Sequence, residues 1–258
     1  MIVAILQARM TSSRLPGKVL MPLSGKPMLM QQVARVTISK KIDKLVVATS
    51  TDKSDDEIEK LCKQHGIEYF RGDLEDVLKR YYRAARKFNA TDIVRLTGDC
   101  PLIDPEVIDE IISFYQKKKF DYASNTINPT YPDGLDVEIF SFRALEEAFN
   151  EAKLPSEREH VTPFILKQPN RFSLGNYKNS TDLSDLRWTV DESRDFELVK
   201  NIYEALYPVN KNFTTSDVLD YLSVHPEVSR LNNSIERNNG MKKSIKKDTD
   251  FISNEKRE

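Results

Sequence analysis

Three cations, Arg9, Arg14 and Lys18, lie in one short hydroxyl-rich stretch, Gln7-Ala8-Arg9-Met10-Thr11-Ser12-Ser13-Arg14-Leu15-Pro16-Gly17-Lys18. Guanidinium and ammonium groups at this density can neutralise a triphosphate, and Gly17 lets the backbone approach it closely. The plain alternative is a solvated basic surface loop. Two aspartates complement the cations: Asp99 in Arg95-Leu96-Thr97-Gly98-Asp99-Cys100-Pro101-Leu102, and Asp191 in Trp188-Thr189-Val190-Asp191-Glu192-Ser193. Each follows an apolar stretch, and Gly98 and Pro101 hold Asp99 in a turn. Carboxylate oxygens suit Mg²⁺, which usually keeps several waters and takes substrate phosphates as well. Singly, Asp99 is equally a turn residue bonding its own backbone, and Asp191 equally a helix N-cap. Together with the basic loop they form a coherent site for a metal nucleotide. The loop is neither a P-loop nor a Rossmann fingerprint, because Gly17 is the only glycine before Gly25.

The elements that must position these groups follow from periodicity. Ile2–Leu6 is an apolar run without a polar break, the pattern of a strand buried on both faces. A helix from Pro27 to about Ser39, a strand at Leu45–Thr49 and a helix begun by Ser54-Asp55-Asp56-Glu57 come next. A strand at Ile67–Phe70, a helix over Glu75–Phe88, a strand at Ile93–Leu96 and a helix from Asp104-Pro105 to about Lys117 continue the alternation. That order predicts an α/β fold with a doubly wound, mostly parallel sheet, and ligands in such sheets bind beyond the carboxyl ends of the strands. The second half is less regular. Strands are expected at Asp121–Ser124, Leu135–Phe140, Phe172–Tyr177 and Leu186–Val190. Helices are expected at Ser141–Ala152 (capped by Ser141), Pro155–Lys167, Glu192–Leu206 and Ser216–Ser223. From Asn232 onward Asn, Ser, Lys and Glu dominate, so residues 232–258 are expected to be a disordered polar tail after a domain of residues 1–231.

Composition narrows the classes. A hydrophobic content of 39% is enough for a packed core in 258 residues, and 31% charged residues sum to a formal net charge of only -1. That balance gives no electrostatic case for nucleic acid or a membrane surface. No apolar segment is long enough to span a bilayer, and the first residues read as a core strand and not as a signal peptide. A cytoplasmic location is expected, with Cys62 and Cys100 as reduced structural thiols. His65 and His225 read as surface residues. Asp248-Thr249-Asp250 matches the D-x-D pattern of metal-dependent glycosyltransferases but stands in the polar tail, where it reads as accidental; Lys242-Lys243 and Lys246-Lys247 read as solvating charge.

Four motifs in order carry a resemblance over about residues 1–225: Q-A-R-M-T-S-S-R-L-P-G-K, R-G-D-L-E-D-V-L-K-R-Y-Y, L-T-G-D-C-P-L-I-D-P and W-T-V-D-E. They resemble the cytidylyltransferases that make CMP-activated acidic sugars, in particular the spore coat polysaccharide branch. The resemblance implies a Rossmann-like nucleotidyltransferase fold, similar to the GT-A architecture, with a small acceptor-binding part at about residues 121–185. It implies that Arg9, Arg14 and Lys18 hold the CTP phosphates, that Ala8, Gly17 and Gly98 lie along the nucleotide, and that Arg71 falls in the segment contacting the cytidine. Asp99 and Asp191 would bind Mg²⁺. Asp133, Asp136 and Glu138, followed by Arg158 and His160, would meet a sugar or sugar-acid acceptor. CMP would pass from CTP to that acceptor, with pyrophosphate released. The chain is shorter in its second half than dimeric relatives and differs in its acceptor motifs, so the sugar does not transfer by resemblance. Relatives commonly dimerise through second-half elements, which leaves a homodimer open. Three alternatives stand beside this reading: a nucleotidyltransferase using another base, a glycosyltransferase of similar architecture, and a silent nucleotide-binding module.

Overall fold

Ile2–Gln7 forms the first strand, β1, and its pleat sends alternate residues into two cores: Ile2, Ala4 and Leu6 into one, Val3 and Ile5 into the other. This is the computed structural model of the chain, and it describes residues 1–235, 237 and 239–255. A two-residue hairpin, β2 (Pro22–Leu23) and β3 (Lys26–Pro27), precedes α1 (Met28–Val36). The alternation then runs β4 (Lys44–Ser50), α2 (Asp56–Gln64), β5 (Tyr69–Gly72), α3 (Val77–Lys87), β6 (Asp92–Thr97) and α4 (Pro105–Lys118). Asp104 starts α4 by accepting the Glu106 N–H ahead of Pro105, as its N-cap spacing predicts.

The second half adds β7 (Tyr122–Ser124), β8 (Glu138–Ser141), α5 (Phe142–Glu151), α6 (Pro155–His160), α7 (Pro163–Leu166) and β9 (Leu174–Asn176). Its strands continue the same sheet. Seven strands lie in the order β5-β4-β1-β6-β8-β7-β9, and only β8 runs against the rest. Then come α8 (Ser193–Leu206), α9 (Thr215–Val224), α10 (Pro226–Ser229) and α11 (Asn239–Glu255). Helices α1, α4, α8 and α9 bury their apolar faces on one side of the sheet, and α3, α5 and α7 on the other. Among the described residues no helix is long and apolar enough to cross a membrane.

Strand order places the site. From β1 the chain moves outward to β4 and β5, then returns across β1 to β6, so the winding reverses between β1 and β6. Those strands end in register, Gln7 opposite Thr97, and the Gly98 N–H bonds the Gln7 carbonyl at 2.8 Å. A Cβ on Gly98 would stand 2.9 Å from that oxygen, so the glycine allows the two loops to leave the sheet side by side.

Three expectations are corrected. Leu186–Val190 forms no strand, because β8 already occupies the edge of β6. The segment is a strap instead, joined by one bridge between Asp133 and Arg187 and by Val190 N–H to the Asp99 carbonyl at 2.7 Å. The single helix expected over Pro155–Lys167 is two, α6 and α7, broken where Val161 takes φ +73° before Pro163.

The tail expected to be disordered is, over Asn239–Glu255, the helix α11. Composition weighs only apolar burial, whereas this segment docks by polar contacts. Buried Asp248 accepts the Ser156 N–H at 2.8 Å and the Ser156 hydroxyl at 2.5 Å, which caps α6 where Leu154 has no side-chain oxygen to offer. A cap of this kind contributes about 1 kcal/mol. Asp248 is thus a cap, in keeping with the reading of the D-x-D pattern as accidental.

Gly134, at φ +112°, lets the strap close: a Cβ there would lie 2.5 Å from the Thr189 nitrogen. Gly134→Ala is expected to destabilise the fold by about 2–4 kcal/mol, through strained backbone and a displaced strap. Thermal unfolding would register this as a lower Tm; an unchanged Tm would mean that the strap is not pinned there.

Candidate active site

The loop after β1 is shaped by groups buried beneath it. Asp55, fully buried, accepts the Met10 N–H at 2.7 Å through one oxygen, and the Ser50 N–H and hydroxyl through the other. It thereby ties the loop to the carboxyl end of β4. Gly17, at φ +72°, gives its N–H to the Met10 carbonyl at 2.9 Å and closes the turn. The following 3₁₀ turn directs Lys18 inward.

Lys18 Nζ then meets three acceptors from distant parts of the chain. They are Asp99 Oδ2 at 3.1 Å, Asp191 Oδ1 at 3.0 Å and the Val190 carbonyl at 2.6 Å. The second oxygen of Asp191 takes Arg14 at 2.7 Å and Arg187 at 3.1 Å. Burial works against the charged forms of both Lys18 and Asp99, but their mutual attraction prevails. Lys18 is raised above its ordinary value, and Asp99, helped by Thr97, is held at about 2. Both are ionised at neutral pH.

These groups face a cavity of about 340 Å³ lined by the loop (Ala8, Arg9, Ser12, Arg14, Lys18), by Gly98 and Asp99, and by Asp191. Arg9 is exposed and makes no ion pair among the described residues. Arg80 of α3 also lines the cavity; it is buried, gives one N–H to the Asp73 carbonyl and leaves Nε unpartnered. Gln7 Oε1, in the same lining, is likewise without a partner. Each of these two lining residues thus keeps one buried polar atom without a partner beside the site.

Beside it lies a charged network. Arg187 bonds Asp133 at 2.8 Å and Asp195 at 3.0 Å in addition to Asp191. Arg237 reaches Asp136 at 2.9 Å. Burial, reinforced by Asp133 and Glu138 and opposed by Arg237, pushes Asp136 up to about 7. Glu138 pairs with Arg95 across the β6–β8 register and accepts the Tyr122 and Thr162 hydroxyls, each at 2.7 Å. His160 lines the cavity, with Nε2 2.9 Å from Ser244 Oγ of α11. Burial, and then the charge of Arg95, lowers its pKa below 6.5, so its ring is neutral at pH 7. Burial raises Cys62 to about 11 and Cys100 well above its usual value, which leaves both thiols protonated.

The structure brings Ala8, Arg9, Arg14, Lys18, Gly98, Asp99, Asp191 and His160 to one cavity. It does not bring Arg71, whose guanidinium is held by Asp56 at 2.7 Å, by Glu59 and by the Ser50 and Asp52 carbonyls. Gly17 shapes the loop without lining the cavity. Arg158 is turned away by Asp76 and lies over the Phe149 ring. Asp133, Asp136 and Glu138 stand behind the lining, occupied by Arg187, Arg237 and Arg95. Sequence reasoning missed Arg80, Arg187 and Arg237. An arginine inside the apolar stretch around Trp188 was a usable signal for Arg187, since a buried cation requires buried carboxylates. Nothing local announced the other two.

Comparison with known proteins agrees with this geometry. The family described as Cytidylyltransferase matches residues 3–242. An uncharacterised protein of Methanocaldococcus jannaschii is 37% identical over 236 residues, covering 91% of this chain and 95% of that one. The spore coat polysaccharide biosynthesis protein SpsF of Bacillus subtilis is 33% identical over 241 residues, 88% of this chain and 96% of its own. A solved cytidylyltransferase from Leptospira borgpetersenii superposes with a TM-score of 0.84 at 34% identity, over 89% of this chain and 96% of that one. The chain belongs to the cytidylyltransferase family and is a CTP-dependent nucleotidyltransferase.

Lys18→Met would leave Asp99 and Asp191 with no ammonium between them. Turnover of CTP is expected to fall at least about 100-fold, and Asp99, half-buried and deprived of its cation, to titrate well above the value of about 2 it has beside Lys18. A depressed carboxylate contributes stability above its unfolded value of ~3.9 and loses it as pH falls through its folded value. In the wild type this contribution is therefore lost progressively as the pH falls from ~3.9 toward about 2, and the variant should have less of it to lose, with a flatter acid dependence. Carboxyl NMR titration and acid unfolding read the two effects.

Proposed function

We propose that this cytidylyltransferase passes CMP from CTP to a hydroxyl of an acidic sugar, with release of pyrophosphate, for a cell-surface polysaccharide. The observation that carries the reading is Lys18, held between Asp99 and Asp191 at the mouth of the β1–β6 crevice, with Arg14 beside it and Arg9 in the same cavity. The reaction joins an acceptor oxygen to the α-phosphorus and breaks the bond to the β-phosphate. Such chemistry asks a protein mainly for positioning and charge neutralisation. Arg9 and Arg14 take the growing charge of the pyrophosphate, and Lys18 holds the two aspartates in place. Arg80, with Nε unpartnered, adds a further cation to the nucleotide's wall.

Asp99 and Asp191 fit a divalent cation, Mg²⁺ by preference. Both are hard-oxygen donors, and the Lys18 ammonium that they bracket marks the place between them as one that stabilises positive charge. Among the described residues no cluster of three or more His, Cys, Asp or Glu could hold a metal alone, so nucleotide oxygens and water would complete the shell. The cation would draw charge from the phosphate oxygens that it binds.

On the acceptor side, neutral His160 offers hydrogen bonding without charge. Asp133, Asp136 and Glu138 keep Arg187, Arg237 and Arg95 in fixed positions behind the cavity. We place the reaction in the cytoplasm, where nucleoside triphosphates are at hand.

The test is a pyrophosphate-release screen: each of the four nucleoside triphosphates, with Mg²⁺, against a panel of acidic and neutral sugars. CTP with an acidic sugar is expected to give pyrophosphate and a CMP-sugar, and Asp191→Asn to lower that rate at least about 100-fold. Release with another triphosphate but not with CTP, or transfer from a preformed nucleotide sugar, would overturn the assignment.

A further inference from the structure

The cavity has a wall that lies outside the residues matched to the family, which end at 242. Ser244 and Lys247 of α11 line it together with Glu159 and His160 of α6. Ser244, Lys247 and Asp248 stand three and four positions apart, so one face of α11 carries all three. That face is fastened at both ends of α6. Asp248 caps Ser156, and Ser244 Oγ bonds Glu159 at 2.8 Å and lies 2.9 Å from His160.

Lys247 on the α11 wall, like Arg9 on the opposite loop, is a loosely held cation of the cavity. Among the described residues its ion pair, to Glu159 at 3.4 Å, is long, and its side chain is 60% exposed. Arg14 and Lys18 are committed to the aspartates, and Arg158, the cation expected from the sequence to meet the acceptor, is committed to Asp76. A flexible ammonium beside a neutral histidine and a hydroxyl is suited to an incoming carboxylate. Glu159 gives it a resting partner that an acceptor can replace, and afterwards keeps its bond to Ser244.

We infer that α11 forms one wall of the acceptor site, that Lys247 binds the acidic group of the acceptor sugar, and that Asp248 is the residue that positions it. The inference rests on the acidic acceptor proposed above. It also explains why a polar segment without a core of its own folds against the domain: the contacts that hold it are those that build the site.

The experiment uses the full chain and the acidic sugar that proves most active in the pyrophosphate-release screen, together with the methyl ester of that sugar. Lys247→Gln is expected to raise KM for the acid about tenfold or more, with kcat and the KM for CTP within about twofold of wild type. Lys247→Arg should restore KM for the acid. The ester, already a poorer acceptor for wild type, should be used equally well by the glutamine variant. Asp248→Asn should raise KM for the acid and leave KM for CTP unchanged. Equal KM for the acid in wild type and Lys247→Gln would overturn the inference alone, as would a matching rise in KM for CTP, which would assign Lys247 to the phosphates. A wild type that uses no acidic sugar would overturn the acceptor reading itself, whatever the variants do.

Discussion

One ammonium group joins the parts of this molecule that matter. Lys18 bonds a turn after β6, the end of the strap at Val190, and Asp191 at the entrance to α8. Without it, Asp99 would lose its cation, and the turn after β6 and the strap would lose the bond that joins them at the mouth of the crevice. Burial opposes charge on both Lys18 and Asp99, and their mutual attraction outweighs it. Much of the surrounding structure prepares this contact. Asp55 and Gly17 fold the basic loop inward, Gly98 keeps the ends of β1 and β6 together, and Gly134 draws the strap against Asp133.

The same logic recurs behind the cavity. Arg187 serves Asp133, Asp191 and Asp195, while Arg95 serves Glu138, whose other oxygen accepts two hydroxyls. Buried ion pairs of this kind add little net stability over apolar packing, but removing one partner is severely destabilising. They fix where side chains stand. A nucleotidyltransferase needs that more than it needs proton transfer, since its reaction depends chiefly on charges standing at the right distance from phosphates.

The parallel half of the sheet was legible because burial on both faces leaves an unbroken apolar run, as in Ile2–Leu6. The site was legible where chemistry clusters locally: Arg9, Arg14 and Lys18 in one loop, and Asp99 and Asp191 after apolar stretches. What escaped was decided by partners distant in sequence. Arg71 and Arg158 look like free cations until Glu59 and Asp76 are seen beside them. Leu186–Val190 has the residues of a strand but no edge to join. The segment after Asn232 lacks apolar surface, so reasoning from hydrophobic burial could not foresee a helix held by a cap and by ion pairs.

The bonds of Lys18 span 81 residues to Asp99 and 173 to Asp191. The entropy of closing such loops grows only slowly with length, roughly 0.6 kcal/mol for each doubling, so the equilibrium stability of the contact suffers little. Folding rate is another matter, because pairings between distant segments form slowly. β1 is made first, yet its neighbour β6 and then the strap must arrive before Lys18 has anywhere to put its charge. Secondary structure can therefore be largely complete while the catalytic centre is still open, since the site is whole only once these long-range contacts have formed.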